Sequence, residues 1–167
     1  MTKKKLLVAG SCMLIITSCN NNGKDNTTEN KQTADTSATR EMKATDIPFI
    51  VAKNYFTKNT VKQGGLENPK IGTKENFDAI FSAATTMNGR PTEIDFSKQY
   101  VIAVVGAETD IATEISPVSL QRDGKNQVTL NYKVSKGNKQ SFKIRPLLIV
   151  VSDKSYDGPV SIKEQAN

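Results

Sequence analysis

All ten aromatic residues of this 167-residue chain lie at or beyond Phe49, and this asymmetry most constrains what the chain can fold into. Aromatic side chains bury large apolar areas and dominate the energetics of cores. From Asn20 to about Lys43 there is no aromatic residue, and Asn, Thr, Lys, Asp, Glu, Ser and Ala predominate. Such a segment buries too little apolar surface to offset its conformational entropy, so we expect disorder there. The composition therefore predicts a tether at 19–45 and one β-rich domain at 46–167.

The first eighteen residues have the organisation of a signal peptide. Lysines at 3–5 precede an apolar run from Leu6 to Thr17, which is shorter than the ~20 residues of a membrane span. The run ends in Ile-Thr-Ser-Cys at 16–19, which resembles the lipobox of bacterial lipoprotein precursors. Two alternatives stay open: an ordinary secretory signal with an incidental cysteine, and a lipobox at Cys12, which would cut the apolar run in half.

The lipobox resemblance implies that residues 1–18 are removed and that Cys19 carries the membrane anchor. In such precursors the cysteine sulfur takes a diacylglyceryl group, and the new amino group receives a further acyl chain such as palmitate. Each buried CH₂ contributes ~0.8 kcal/mol, so several chains anchor stably. The expected location is the cell envelope, at the outer membrane, with the periplasmic or surface face left open.

Charge and residue usage exclude several kinds of site. The formal net charge is +6, and three of these charges lie in the predicted signal peptide, so about half of the charge remains on the mature chain. This mild excess does not indicate nucleic-acid binding. The chain has no His, which is the commonest general base and metal ligand. Its two cysteines, Cys12 and Cys19, precede the domain, so we expect no disulfide within it. Because His is missing and neither a zinc-ligand spacing nor a glycine-rich phosphate loop is present, we also expect no metal, no cofactor and no enzymatic activity.

The domain sequence predicts a mainly β fold with one helix. Thr73 is a candidate N-cap, and the apolar residues that follow at helical spacing indicate an amphipathic helix over 74–84. The predicted strands are 49–57, 100–105, 114–122, 128–134, 142–151 and 160–162, with turns at 123–126 and 137–138. Turn signals every ~8–12 residues favour a small antiparallel sandwich or barrel of about six or seven strands, of the α+β class. Pro117 indicates an edge or a bulge within its strand.

Four residues in predicted loops are candidate binding residues. Glu108 and Asp110 follow the central strand and form a close carboxylate pair, which in principle could act as acid and base. A solvated turn is the ordinary explanation for such a pair. Leu66 and Met87 are the apolar residues that a partner could bury, or they tuck onto the domain itself. Asp153 and Asp157 share a loop but lack the remaining ligands of a calcium site.

A basic cluster accompanies the predicted 128–151 hairpin. Its members are Lys133, Lys136, Lys139, Lys143 and Arg145. The cluster would suit an acidic partner or lipid headgroups. The alternative is that these charges provide solubility and protect a sheet edge against aggregation.

The stretch from Pro91 to Gly106 resembles the core signature of PrcB-like domains, which are associated with protease complexes. The matching features are the Asp95-Phe96 pair and an apolar strand, Tyr100–Val105, closed by glycine. Ile144–Val150 resembles the Pro-containing penultimate strand of that family. The family tends to follow its glycine with Gly-Gly-Tyr, whereas this chain has Ala107 to Ile111, so the family's binding surface need not carry over. The resemblance implies a non-enzymatic domain that binds or stabilises a protease.

These features together predict a non-catalytic, membrane-tethered binding module whose partner is a protein, such as a peptidase. An alternative is a small-ligand or lipid carrier that holds an apolar molecule inside a β-barrel. A third hypothesis is an enzyme that uses carboxylates alone.

Overall fold

Three β-sheets and one helix form the domain in the computed structural model, which describes residues 44–61, 65–84 and 89–166. The strands are β1 Thr45–Asp46, β2 Ile50–Val51, β3 Tyr55–Thr57, β4 Lys70–Ile71, β5 Phe81–Ala83, β6 Gln99–Val105, β7 Thr109–Arg122, β8 Val128–Ile144, β9 Leu147–Asp153 and β10 Val160–Glu164; the helix α1 is Lys74–Ile80. A 3₁₀ turn at Lys154–Tyr156 leads from β9 towards β10. The described strands outnumber the six or seven expected because five of them have only two or three residues.

The first sheet has the strand order β1-β7-β8-β10, the second β2-β9-β6-β4, and the third contains only β3 and β5. All strand pairs are antiparallel except β10 with β8, which is parallel. The predicted α+β sandwich is thereby confirmed, with a parallel edge strand that the sequence did not predict.

The two large sheets are the halves of one long antiparallel ribbon. β6 pairs with β9 as far as Val105 opposite Leu147, and the amide of Gly106 then donates to the carbonyl of Pro146 at 2.9 Å. Beyond this point the same two chain segments continue as β7 and β8, from Thr109 opposite Ile144. The ribbon folds over at this place, so that its two halves become the facing sheets.

The space between the two large sheets is filled with side chains. Tyr100, Ile102, Leu120, Leu130 and Leu148 are almost entirely buried there. Since successive residues of a strand point to opposite faces, the other residues of β6 and β9 face away from this first core. The predicted barrel interior for a ligand is therefore occupied by the protein's own side chains.

A second core lies on the other face of the second sheet. Val101, Ala103 and Ile149 pack there against Phe77 of α1 and Phe81 of β5. Both faces of β6 are thus covered, which explains its uninterrupted apolar sequence. The prediction of a buried central strand at 100–105 is confirmed.

One predicted strand is divided in the structure, and the predicted helix is shorter than expected. Asn54 has a φ of 63°, in the left-handed region, and separates β2 from β3, so the predicted strand 49–57 serves two different sheets. The predicted helix 74–84 ends at Ile80, where the amide of Phe81 still donates to the carbonyl of Phe77. The next three residues form β5 and pair with β3, and Phe81 is almost completely buried there.

The predicted turn at 137–138 is wrong. β8 runs through this position, and its pairing with β7 is irregular, with register shifts between Thr109 and Ile111 and between Ile111 and Thr113. The additional residues of β8 are taken up in these bulges. We call Ser135–Lys143 the corner segment; all of its residues except Gln140 are exposed. A further register shift at Pro117 confirms the predicted bulge there.

The N-terminal end of the described chain joins the two large sheets. β1 lies in the first sheet and β2 in the second, and the connection between them crosses the side of the sandwich. The amide of Ile47 donates to the carbonyl of Leu120 at 2.8 Å, and that of Ala52 to Ile149 at 2.9 Å. Ile47 is only 4% exposed, so it closes this side of the first core.

Candidate binding cleft

A cleft of about 580 Å³ opens in the layer formed by α1, β3 and β5. We call it the aromatic cleft, and its lining residues are Tyr55, Lys58, Lys74, Phe77, Asp78, Phe81, Ser82, Ala83, Glu93, Ile94 and Phe96. Three chain segments that are distant in sequence meet here: β3, the α1–β5 unit and the segment before β6. Such a volume is in the range of ordinary ligand pockets, roughly 300–1,000 Å³.

Aromatic rings form the floor of the cleft. The ring of Phe77 lies at the centre, 5.1 Å from that of Tyr55 in an edge-to-face arrangement. The rings of Phe81 and Phe96 are 5.0 and 5.5 Å from it. These separations are those of favourable aromatic pairs. Since Phe77 and Phe81 are almost completely buried, the floor is fixed by core packing before any ligand arrives.

Tyr55 is the polar group of this floor. Its hydroxyl donates to the carbonyl of Thr92 at 2.6 Å. Burial raises the pKa of the Tyr55 hydroxyl, with Lys74 opposing and Asp78 and Glu93 adding to the increase. The hydroxyl therefore stays protonated at neutral pH and remains a donor to the Thr92 carbonyl.

Charged side chains form the rim. Lys74 Nζ lies 2.6 Å from Asp78 Oδ2, one turn along α1, and this hydrogen bond raises the pKa of Lys74. Lys58 Nζ donates to the backbone carbonyl of Asp78. Within 44–61, 65–84 and 89–166, Glu93 forms no ion pair. The rim thus presents both signs of charge beside an apolar floor.

This arrangement suits an apolar or aromatic group with polar neighbours. The partly exposed side chains of Tyr55, Ile94 and Phe96, supported from below by Phe77 and Phe81, supply the apolar contact area. The rim supplies charged hydrogen-bonding groups that can fix the orientation of a bound segment. A side chain from a partner protein has this combination of an apolar body attached to a polar backbone.

Glu108 and Asp110 lie outside the aromatic cleft. Glu108 Oε1 is 3.1 Å from Lys143 Nζ, and Asp110 Oδ2 is 3.1 Å from Lys139 Nζ. Each carboxylate thus contacts a different lysine across the folded ribbon. The sequence placed the pair in a loop, but Asp110 belongs to β7, where the pairing with β8 explains the contact with the lysine.

The other candidate residues have local roles. Leu66 is partly buried and packs against the second core, whereas Met87 lies outside the described residues. Asp153 accepts the amide of Ser155 at 2.7 Å, which lowers the pKa of its carboxyl group. Asp157 forms an ion pair with Lys70. No group of three or more His, Cys, Asp or Glu in the described part of the chain is arranged to hold a metal ion.

The predicted basic cluster is divided by the structure. Lys139 and Lys143 contact acidic residues as above, and Arg145 Nη1 donates to the carbonyl of Val61 at 2.9 Å. Lys133 and Lys136 are exposed. The cluster is therefore a mixed-charge surface with a basic excess, and it extends along the corner segment.

Sequence reasoning missed the aromatic cleft. The spacing of Phe77 and Phe81 indicates a buried helical face, and the Asp95-Phe96 pair carries only the family resemblance. The missing information was the contact of these residues with Tyr55, which depends on the pairing of β3 with β5. The one available signal was the concentration of aromatic residues between positions 55 and 96.

The predicted lipidation site Cys19, the signal peptide 1–18 and the tether up to residue 43 lie outside the described residues. In the ranges that are described, no helix combines the length and apolar composition of a membrane-crossing segment. No protein-family model, no curated protein and no solved structure matches this chain. The similarity to PrcB-like domains therefore stays a prediction from the residues that carry it.

Proposed function

We propose that this chain is a non-catalytic lipoprotein of the cell envelope, anchored through Cys19, that binds a protein partner such as a peptidase through the aromatic cleft. The observation that carries the proposal is the preformed aromatic floor beside a rim of mixed charge. Binding energy in protein interfaces concentrates in a few well-packed aromatic and charged contacts, which is the composition of this cleft.

The rigidity of the floor favours binding without reorganisation. Because Phe77 is held by three neighbouring rings, a bound side chain would meet a surface whose rotamers are already fixed. Ordering flexible side chains at an interface costs ~0.5–1.5 kcal/mol for each one, and this cleft avoids much of that loss.

The alternative function, a carrier for a small apolar ligand, has less support. Its natural location would be the space between the two large sheets, and buried side chains fill that space. A lipid would have to separate the sheets to enter. The carrier function could still operate through a small ligand bound in the aromatic cleft. In that case the ligand would bind to the purified protein without a second protein.

The anchor is tested by metabolic labelling with a fatty-acid analogue in cells that produce the full chain. We expect the wild type to incorporate the label and to sediment with membranes, and the Cys19→Ser variant to do neither. A Cys12→Ser variant should retain both properties. Equal membrane sedimentation of the wild type and the Cys19→Ser variant, without label in either, would refute the anchor.

The partner interaction is tested by filling the cleft. Ala83 is exposed and lines the cleft, so Ala83→Trp should block it; Ala107→Trp, at the exposed ribbon bend, is the matched control. A partner is first identified by crosslinking in intact envelopes, and its affinity is then measured with purified proteins. We expect Ala83→Trp to weaken binding at least ~10-fold, as loss of a central contact does, and the control to bind like the wild type.

Two results would contradict the proposed interaction. One is a partner that binds both tryptophan variants equally well. The other is a partner peptidase whose activity and abundance are the same with and without this chain. Saturable binding of a small apolar compound to the wild type, lost in Ala83→Trp and independent of any protein, would favour the carrier instead.

A further inference from the structure

The corner segment differs from the rest of β8 because neither of its faces is covered. Of its nine residues, Ser135–Lys143, only Gln140 is partly buried. A strand in a sandwich ordinarily buries one face, so alternation between buried and exposed residues is expected and is lost here. Phe142 is 58% exposed, more than any other large hydrophobic residue among those described.

The charge of the corner segment is basic. Lys136, Lys139 and Lys143 lie within it, and Lys133 precedes it in the same strand. The side chains of Lys139 and Lys143 remain 75% and 70% exposed within their ion pairs. Exposed pairs of this kind are weak, so these ammonium groups can still approach an external anion. Among the described residues, Lys133 and Lys136 form no ion pair.

An exposed aromatic residue among lysines is the composition of surfaces that lie at a membrane interface. The aromatic ring enters the boundary between headgroups and acyl chains, and lysines extend their ammonium groups to lipid phosphates. Anionic lipids attract such segments by ~1 kcal/mol per basic residue close to the surface.

We propose that the corner segment rests on the anionic surface of the bilayer that holds the lipid anchor, with Phe142 at headgroup depth and the lysines beside lipid phosphates. This inference builds on the proposed function, since it takes the Cys19 anchor as the reason that a bilayer is near. It adds a second contact, which would fix the orientation of the domain and hence the direction in which the aromatic cleft faces.

The dimensions of the chain allow both contacts at once. The described chain begins beside Gln121–Arg122, at the far end of β7 from the corner. Ile111 is eleven residues from Arg122 in β7, which is about 36 Å at ~3.3 Å per residue. Between Cys19 and Ala44 there are 25 residue steps, which can span at most ~90 Å and therefore exceed the length of β7. A domain lying along the bilayer therefore reaches it with both ends.

The test places a reporter in the corner of the intact, mature lipoprotein. Ser141→Cys receives an environment-sensitive fluorophore, and Ser161→Cys, on the exposed edge strand β10, is the matched reference. If Cys19 is acylated and Cys12 has been removed, each protein takes up one label. Uptake of further label by a protein would show that the anchor is absent, so failure of the anchor is distinguished from failure of the corner contact.

The labelled proteins are reconstituted in phosphatidylglycerol-containing vesicles that also carry a spin-labelled quenching lipid. We expect a blue-shifted, strongly quenched emission from position 141 and a smaller effect at position 161. Adding Lys136→Ser should lower the contact equilibrium about fivefold, the equivalent of ~1 kcal/mol. Phe142→Ser should lower the quenching at 141 further, and raised salt should weaken it, because the Debye length falls to about 3 Å at 1 M.

Circular dichroism of each variant checks that the fold is retained, which is expected because the four substituted side chains, at 136, 141, 142 and 161, are exposed. Equal quenching at positions 141 and 161, or equal quenching at 141 in vesicles of pure phosphatidylcholine, would overturn the proposal. Quenching or burial of position 141 only after envelope proteins are added would overturn it too, and would identify the corner as a protein-binding surface.

Discussion

At the scale of single residues, Gly158 is the described glycine at which an added Cβ would lie closest to another backbone atom. A Cβ at this site would lie 2.2 Å from the carbonyl oxygen of Asn126. That oxygen belongs to the turn between β7 and β8, so a side chain at 158 must push the turn away from the start of β10. The hydrogen bond from the amide of Val128 to the carbonyl of Pro159, 2.8 Å long, depends on the same approach.

We therefore expect Gly158→Ala to destabilise the domain by about 1–3 kcal/mol, as forced backbone shifts do. Gly72→Ala is the matched control, because a Cβ there meets nothing within 4 Å. Urea unfolding followed by circular dichroism measures both variants. Equal urea midpoints for the two variants would show that the turn can move away from position 158 without a loss of stability.

The hydrogen bonds from Ser97 to the carboxylate of Asp95 make a contribution to stability that depends on pH. Its carboxylate accepts the hydroxyl of Ser97 at 2.5 Å and the amide of Ser97 at 3.0 Å, and these bonds lower the pKa of Asp95. A carboxyl group with a lowered folded-state pKa stabilises the fold above its unfolded pKa, near 4, and this stabilisation is lost as the pH falls through the folded pKa.

Ser97→Ala removes only the hydroxyl bond, so the pKa of Asp95 should rise towards the ordinary value without reaching it. An NMR titration of the side-chain carboxyl carbons measures the change. The pKa of Asp153, held by Ser155, should stay as it is and serves as the internal reference. An unchanged pKa for Asp95 would mean that the amide bond alone lowers it.

Asn54 shows why single residues limit sequence-based prediction. The run 49–57 has the β-branched and aromatic composition of one strand, and its local propensity is satisfied by both β2 and β3. Asn tolerates a positive φ, and here its side-chain amide also donates to the carbonyl of Arg90 at 2.9 Å. This hydrogen bond to Arg90 stabilises the interruption between β2 and β3 at Asn54. The residues around Asn54 do not predict a bond to a residue so distant in the sequence.

At the scale of elements, the α1–β5 unit joins the second core to the aromatic cleft. Phe77 is buried in that core and contacts three other rings, so it supports β3, β5 and the segment before β6 together. Phe56 neighbours the same unit in β3 but is 51% exposed.

Phe77→Ala should therefore lower the free energy of unfolding by about 3–5 kcal/mol, the usual loss for a buried aromatic residue. Phe56→Ala removes the same atoms from an exposed site and should change stability by no more than about 0.5 kcal/mol. Thermal and chemical unfolding of the two variants gives the comparison. Similar losses for both would place Phe56, too, in a packed environment.

Elements with a regular local pattern could be predicted, and elements made by distant pairing could not. The alternation of Val128, Leu130, Tyr132 and Val134 and the apolar run of β6 each indicate a strand by themselves. In contrast, β3 and β5 exist only because they pair with each other across α1. The aromatic cleft depends on that pairing, so the sequence indicates its residues only as parts of a core.

At the scale of the whole molecule, the folded ribbon concentrates stability in one half. β6 and β9 are covered on both faces, whereas the outer face of the first sheet and the corner segment meet solvent. Amides of Val101–Val105 and Ile149–Val151 should exchange with solvent deuterium only on global unfolding.

Amides of the corner segment should exchange through local opening, many-fold faster, because their pairing with β7 is irregular. Native-state hydrogen exchange resolved by mass spectrometry measures both sets in one experiment. Cooperative, equally slow exchange of the corner segment and β6 would contradict this ordering.

The sequence indicated the sandwich class but not the folding of the ribbon. Turn signals at Asp123–Asn126 identified the hairpin between β7 and β8, and the hydrogen bonds of Asp123 with Gln127 and Asn126 confirm it. The fold-over at Gly106 and the parallel addition of β10 depend on contacts between distant segments. Local composition does not predict such long-range contacts, so the strand order cannot be deduced from the sequence.

The crossing of the N-terminal segment over the side of the sandwich also determines how the domain responds to mechanical load. Tension arriving from the N-terminal direction acts first on β1, which is joined to β7 at only two residue positions, Thr45 and Asp46. Thr45 and Asp46 would separate from β7 before Ile47, which is buried at the side of the first core, is displaced. We therefore expect tension from the N-terminal side to separate β1 from β7 at low force, while the pairing of β6 with β9 and of β7 with β8 is retained.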